Sequence, residues 1–276
     1  MSPAILPFNA PPAVREVIEA SLRLFGRSVL PCLPLATIGT LLGQLPSAYD
    51  VAVHGKPVPL TAASLAAKDG TWWALYALGT VVSLVVWALV LQKQQRIATG
   101  SAAAGLPGAT FARFPAIVGY FVASFVVVLL VSMPFGMIAA LLALPPVSRA
   151  TVILLPILAA SAAVSLGWPA LIVDGRRPID AVATGLRLAI RHWRRLVLVV
   201  VAILATLIVM VVLAGFAIGL IAGLASPAGA AVQGSLSQAI VLLFAALAVL
   251  YLSAFLLVVF DDLRARAQAS SASNVA

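Results

Sequence analysis

An all-α polytopic membrane protein is the fold this 276-residue sequence predicts, and three observations predict it. Hydrophobic residues make up 63% of the chain and Asp, Glu, Lys and Arg only 9%, against roughly 25% charged residues in an ordinary soluble domain. The charges gather in short clusters between long uncharged runs instead of spreading along helix faces, and no Asp, Glu, Lys, Arg or His lies between Arg195 and Asp261. With six spans and both termini on one side, that side carries Lys or Arg at 15, 23, 27, 93, 96, 113, 176, 177, 187, 191, 194, 195, 264 and 266, and the other only Lys56, Lys68 and Arg149. Fourteen against three is a strong positive-inside bias, so both termini are expected to be cytoplasmic.

The elements follow in order, within a single integral membrane domain covering 1–276. Residues 12–27 place Val14, Val17, Ile18, Leu22 and Phe25 on one helical face and Arg15, Glu19 and Arg23 elsewhere, the pattern of an interfacial helix. Pro12 suits its first turn, and Gly26 suits a break before the bilayer. The first eleven residues lack a basic n-region and a long apolar run, so the first span is expected to act as its own insertion signal. That span covers about 29–49 and carries Gly39 and Gly43, a small-xxx-small face for close helix contact. The second, about 72–91, opens with Trp72, Trp73 and Tyr76, aromatics suited to head-group level, and closes at a hydrated QKQQR boundary. Residues 97–114 read as a weakened interfacial segment. The third span, about 117–144, holds Pro134, expected to kink it, and Pro145 and Pro146 end it. The fourth is about 150–173.

Residues 178–195 form the basic amphipathic segment. Pro178 and Asp180 favour a helix start; Ile179, Val182, Leu186, Ile190 and Trp193 line one face, and Arg187, Arg191 and Arg194 another. The fifth span, about 196–224, spaces Gly215, Gly219 and Gly223 as a glycine zipper for helix packing. The sixth covers about 237–260, and 267–276 read as a disordered tail.

An aromatic-x-Arg step precedes each odd span: Phe25 and Arg27, Phe111 and Arg113, Trp193 and Arg195. Each interval holds an interfacial segment and two spans. The chain therefore reads as three parallel hairpin repeats, each preceded by a cytoplasmic interfacial amphipathic segment.

Reactive chemistry is sparse. Cys32 is the single cysteine, which excludes an intramolecular disulfide and a cysteine metal cluster. The proposed spans contain no carboxylate, histidine or basic residue to mark an ion path, and no Walker A, HExxH, GxSxG or CxxC sequence occurs. His54 and His192 fall on opposite sides. Catalytic, cofactor-binding and metal-binding residues are accordingly expected to be none. The net charge of +9 sits beside the apolar runs, which points to anionic lipid and away from nucleic acid.

Two stretches resemble a known family. DGRRPIDAVATGLRLAIRHWRRLV is similar to the segment before the fifth span in the YciC-like family and in the membrane domain of glycerophosphoryl diester phosphodiesterases, through Asp174, Gly175, Pro178, Ala181, Gly185, Arg187, Leu188 and Trp193. VVFDDLRAR resembles the closing D-L-R-x-R element, through Asp262, Leu263, Arg264 and Arg266. Gly185 stands where a serine is usual, Phe260 and Asp261 replace tyrosines, and the soluble phosphodiesterase barrel has no counterpart. The resemblance implies a bacterial inner-membrane protein and carries over no enzyme activity.

The expected function is thus non-enzymatic: a scaffold or accessory protein in envelope or lipid metabolism. Arg187, Arg191, Trp193, Arg194 and Arg195 are its candidate contacts to anionic head groups of the cytoplasmic leaflet or to a partner. The glycine faces leave open a membrane-protein partner or a homo-oligomer. The alternative is a transporter or flippase for an uncharged or amphiphilic solute, with a cavity formed by the kinked third span and the glycine-lined helices.

Overall fold

The computed structural model describes residues 5–8, 12–55, 62–100, 112–142, 145–224 and 230–273. Its regular elements are helices: α1 (Val14–Gly43), α2 (Leu45–His54), α3 (Ala62–Ala66), α4 (Gly70–Thr99), α5 (Phe114–Leu141), α6 (Pro146–Ser165), α7 (Gly167–Ile172), α8 (Pro178–Arg191), α9 (Trp193–Leu224) and α10 (Ala230–Ser273). Six stretches are long and apolar enough to cross a membrane, in α1, α4, α5, α6 with α7, α9 and α10. The fold is that of a multi-pass membrane protein.

Several boundaries differ from the sequence reading. The interfacial helix at 12–27 and the span at 29–49 are one continuous helix, α1. Gly26 does not break it, because Leu24 and Ser28 on either side are buried and the Ser28 hydroxyl donates back to the Phe25 carbonyl. Pro31 and Pro34 also lie inside α1, and the Lys93 ammonium donates to the Pro31 carbonyl. The chain turns instead at Gln44, with Pro46 in the first turn of α2, so 45–54 leave the first span. Pro134 lies within α5, inside the third span as expected. The fourth span is interrupted at Leu166, between α6 and α7. The expected disordered tail is helical to Ser273, as α10 overruns its apolar stretch with an Asp262–Arg266 pair one turn apart. Most of the weakened segment at 97–114, Phe111 included, lies outside the described residues.

The interruption at Leu166 has a visible cause. A Cβ on Gly167 would lie 2.5 Å from both the Ala181 carbonyl oxygen and the Tyr120 hydroxyl, and one on Gly185 would lie 2.7 Å from the Ala163 carbonyl and 2.8 Å from the Gly167 nitrogen. Helix α8 therefore crosses the α6–α7 junction backbone to backbone. Tyr120, fully buried, donates its hydroxyl to the Val164 carbonyl beside the break. The room at Gly185 is too small for any side chain unless the backbone shifts.

Packing is concentrated at one end. Helix α1 packs on α4 and α10, α5 on α6, α9 on α10, and α8 on α5, α6 and α7. The main core joins Leu24, Leu91, Ile117, Tyr120, Trp168 and Leu257 at the end of the bundle that carries most of the arginines, called here the basic end. A smaller cluster of Cys32, Ala36, Val90, Ala246 and Leu250 continues it between α1, α4 and α10. Gln94, in the QKQQR stretch read as a hydrated boundary, is fully buried between these three helices. Its amide nitrogen donates to the Ser28 hydroxyl (3.1 Å) and the Leu250 carbonyl (2.8 Å), an interhelical tie that lipid tails cannot replace. Away from this core, Leu130, Met133, Leu141, Val211 and Phe216 are exposed, as apolar side chains facing lipid are.

Candidate functional site

The basic end is assembled from the described residues before α1, the C-terminal part of α10 and the loop before α8. Gly175 adopts φ +68°, a left-handed turn open to glycine, and Arg113 packs against it. The Arg113 guanidinium donates to the Leu171 (3.3 Å) and Ile172 (3.2 Å) carbonyls, so it caps the C-terminus of α7, where a cation suits the helix dipole. Arg176 donates to the Thr184 hydroxyl (2.7 Å) and approaches Asp174 at 3.8 Å, while Arg264 pairs with Asp174 at 3.0 Å.

The centre of this end is Asp262, only 2% exposed. Its carboxylate faces the Arg266 Nε at 2.7 Å and the Arg195 Nε at 3.5 Å. Both arginines also donate to the Pro12 carbonyl, at 2.8 Å from Arg195 and 2.6 Å from Arg266. Asp261 accepts the Phe8 backbone N–H at 2.7 Å, and the Ile5 and Leu6 N–H groups donate to the Ala98 carbonyl. Thus the segment before α1, the start of α9 and the end of α10 are tied into one polar knot. Removing the carboxylate would leave two guanidinium groups on the Pro12 carbonyl without the anion that separates them.

Five residues were singled out in the basic segment, and the structure separates them. Arg195 is 17% exposed and committed to Asp262 and Pro12, so it belongs to the knot. Arg187, Arg191 and Arg194 lie at the surface, the Arg194 guanidinium 5.7 Å from the centroid of the exposed Trp193 ring. The apolar side chains of α8 divide: Ile179 and Ile190 are each 75% exposed, while Ala181, Val182, Gly185 and Ala189 are buried and Leu186 and Leu188 pack partly buried against the core. The start of α1 does the same, burying Val17, Ala20 and Leu24 and exposing Val14, Ile18 and Leu22. His192, at the α8–α9 junction, has its pKa lowered by burial and by the nearby Arg191 and Arg266, with Asp262 opposing.

The glycines separate too. A Cβ on Gly39 would lie 2.8 Å from the Val86 side chain and one on Gly43 3.3 Å from the Ser83 hydroxyl, which places α1 against α4. At Gly215, Gly219 and Gly223 an added Cβ meets nothing within 4 Å.

At the opposite end Asp50 and Lys68 form a buried ion pair, and the Trp72 indole donates to Asp50 at 3.3 Å. Trp72 is buried and stacked on Tyr76 at 5.4 Å, while Trp73 and Tyr76 are exposed, so two of the three aromatics face outward as head-group anchors would. Asp69 caps α4 by accepting the Trp72 N–H at 2.8 Å and accepts the Tyr49 hydroxyl at 2.5 Å. These two bonds hold the Asp69 pKa below its ordinary value, the Tyr49 bond first.

Among the recesses of the described residues, two have mostly apolar walls. One, of about 250 Å³, lies between α1, α9 and α10 beside Arg195 and Asp262; its other walls are apolar, from Ile18, Leu198, Phe255 and Val259. A larger cleft of about 500 Å³ lies between α1, α4 and α10, towards the end that carries Asp50 and Lys68. Among the described residues no three His, Cys, Asp or Glu side chains converge as metal ligands would.

Sequence reasoning missed Gln94 and the Arg195–Asp262 pair. The second had a signal: Arg195 opens the fifth span and Asp262 follows the sixth, so an antiparallel hairpin brings them level. Compared with protein-family models, curated proteins and solved structures, the chain matches none.

Proposed function

We propose that this protein is a non-enzymatic, multi-pass component of a bacterial inner membrane. Both termini are cytoplasmic, and it serves as a scaffold or accessory protein in envelope or lipid metabolism through its basic end. The observation that carries this reading is the surface of α8 and its junction with α9, where Ile179, Ile190 and Trp193 stand exposed beside Arg187, Arg191 and Arg194. Exposed aliphatic and aromatic side chains next to arginines suit the boundary between acyl chains and anionic head groups. The same outward turn of large apolar residues at the start of α1 supports a second interfacial segment. Packing of α1 on α4, α5 on α6 and α9 on α10 supports three hairpin repeats. The likeness to the YciC-like and phosphodiesterase membrane-domain family gains support from the pairing of its two stretches with each other, Asp174 with Arg264 and Arg195 with Asp262.

Native mass spectrometry of protein extracted in its own lipids tests the reading. Retained anionic lipid is expected, and Arg187, Arg191 and Arg194 replaced together by Ala are expected to cut it strongly, at about 1 kcal/mol or fivefold per residue. Equal retention of neutral and anionic lipid, unchanged by the triple substitution, would remove the basis of the proposal. The second reading, transport of an uncharged or amphiphilic solute, is favoured by one observation, the cleft between α1, α4 and α10.

A further inference from the structure

The cleft between α1, α4 and α10 grades from polar to apolar. It runs along α4 from Tyr76 to Trp87, eleven residues or about 16 Å of helix, and its volume of about 500 Å³ falls in the range of small-molecule sites. Small residues make the room, and the deeper polar groups are already used. Ser83 donates to the Gly39 carbonyl at 3.1 Å, Thr40 to the Ala36 carbonyl at 2.8 Å, and the Trp87 indole to the Ser253 hydroxyl at 2.6 Å. What remains at the floor is carbon, from Trp87, Val249 and Leu252. At the mouth the Gln44 amide, the Tyr76 hydroxyl and the Thr80 hydroxyl have no side-chain hydrogen-bond partner among the described residues.

We infer that this cleft binds an uncharged single-chain amphiphile, its hydroxylated head against Gln44, Tyr76 and Thr80 and its hydrocarbon chain against Trp87, Val249 and Leu252. Three groups able to donate and accept at one end, above a carbon-lined floor, match a hydroxyl or ester head on an alkyl chain. The head is neutral because, among the described residues, no Asp, Glu, Lys, Arg or His lines the cleft, and the nearby Asp50 and Lys68 neutralise each other in a buried pair. An anionic head would find no cation among the described lining residues. The inference does not depend on the basic end, which lies across the bundle; it supplies the solute class for the transport reading.

The test uses the full-length protein in phosphatidylcholine nanodiscs and a monoacylglycerol with a photoactivatable diazirine on its chain. Crosslinks are expected to concentrate in residues 36–44, 76–87 and 245–252. Unlabelled monoacylglycerol should displace them, and a lysophosphatidic acid of equal chain length should not. Ala245→Phe, which fills the cleft from α10, is expected to reduce the crosslinks severalfold. Thr80→Val keeps the volume and removes one hydroxyl, so it is expected to weaken competition by about three- to tenfold, one hydrogen bond's worth, while leaving the thermal midpoint unchanged. Crosslinks spread equally over the exposed faces of α5 and α9, or displaced equally by the phosphate-headed competitor, would overturn the inference. Arg187→Ala, Arg191→Ala and Arg194→Ala together leave these crosslinks intact, so failure here is distinguishable from failure of the basic-end proposal.

Discussion

The two helices of the last hairpin have equal mean hydropathy in their apolar stretches, yet among the described residues they occupy opposite environments: 44% of the α10 stretch is buried within the protein and none of the α9 stretch. In water such a pair would both be driven inward. In lipid the solvent is as apolar as the side chains, so hydropathy sets no inside or outside, and association depends on polar ties and close fit. Helix α10 has both, through Ser253 against Trp87, the Leu250 carbonyl against Gln94, and Asp262 between two arginines. The apolar stretch of α9 offers aliphatic residues and a glycine face that nothing in the described chain fills.

The largest expected effect breaks α10 from its neighbours. Asp262→Ala leaves Arg195 and Arg266 uncompensated beside the Pro12 carbonyl, and a loss of about 3–5 kcal/mol is expected, read as a lower midpoint in denaturant or thermal unfolding of the purified protein. An unchanged midpoint would mean that the knot decorates α10 without holding it.

A paired substitution sharpens the contrast between glycine faces. Gly39→Leu forces a side chain into Val86, with an expected cost of about 1–3 kcal/mol. Gly215→Leu meets open space and should stay within about 0.5 kcal/mol of the parent. If instead Gly215→Leu converts an oligomer to a monomer on size-exclusion chromatography with light scattering, the α9 face is an interface between copies.

The smallest effect is a pH dependence at the α8–α9 junction. The folded-state pKa of His192 lies below its unfolded value of about 6.5, so the folded protein favours the neutral ring. Its contribution is complete above that unfolded value and is lost as pH falls through the lowered folded value. His192→Gln should flatten that part of the stability profile, and a profile identical to the parent's would refute the assignment.

Legibility follows the same physics. Long uncharged runs marked the spans well because crossing a bilayer requires about 20 apolar residues whatever their neighbours. Helix ends were less legible: α1 ignores Gly26, α4 continues through QKQQR and α10 through the tail, since neighbouring contacts and helix propensity extend a helix beyond its apolar part. On α8 the basic face was visible in the spacing, but the division of its apolar residues was not: Ile179 and Ile190 point outward, while Val182 and Leu186 join Ala181, Gly185 and Ala189 on the side that meets the core, where Gly185 lies against the backbone of Gly167. Within the basic segment, spacing grouped Arg195 with Arg187, Arg191 and Arg194, and only the position of Asp262 removed it from that group.

Composition and the spacing of charges, by themselves, determined the class of this protein, the number of its apolar spans and the crowding of arginines at one end, because transfer into a bilayer is a local property of each segment. Tertiary structure alone decided which span lies inside, which arginines are paired, which glycines touch a neighbour and where a cleft remains. Those depend on contacts between residues as distant as Pro12 and Arg266, and in an apolar solvent nothing in a segment's own hydropathy specifies them.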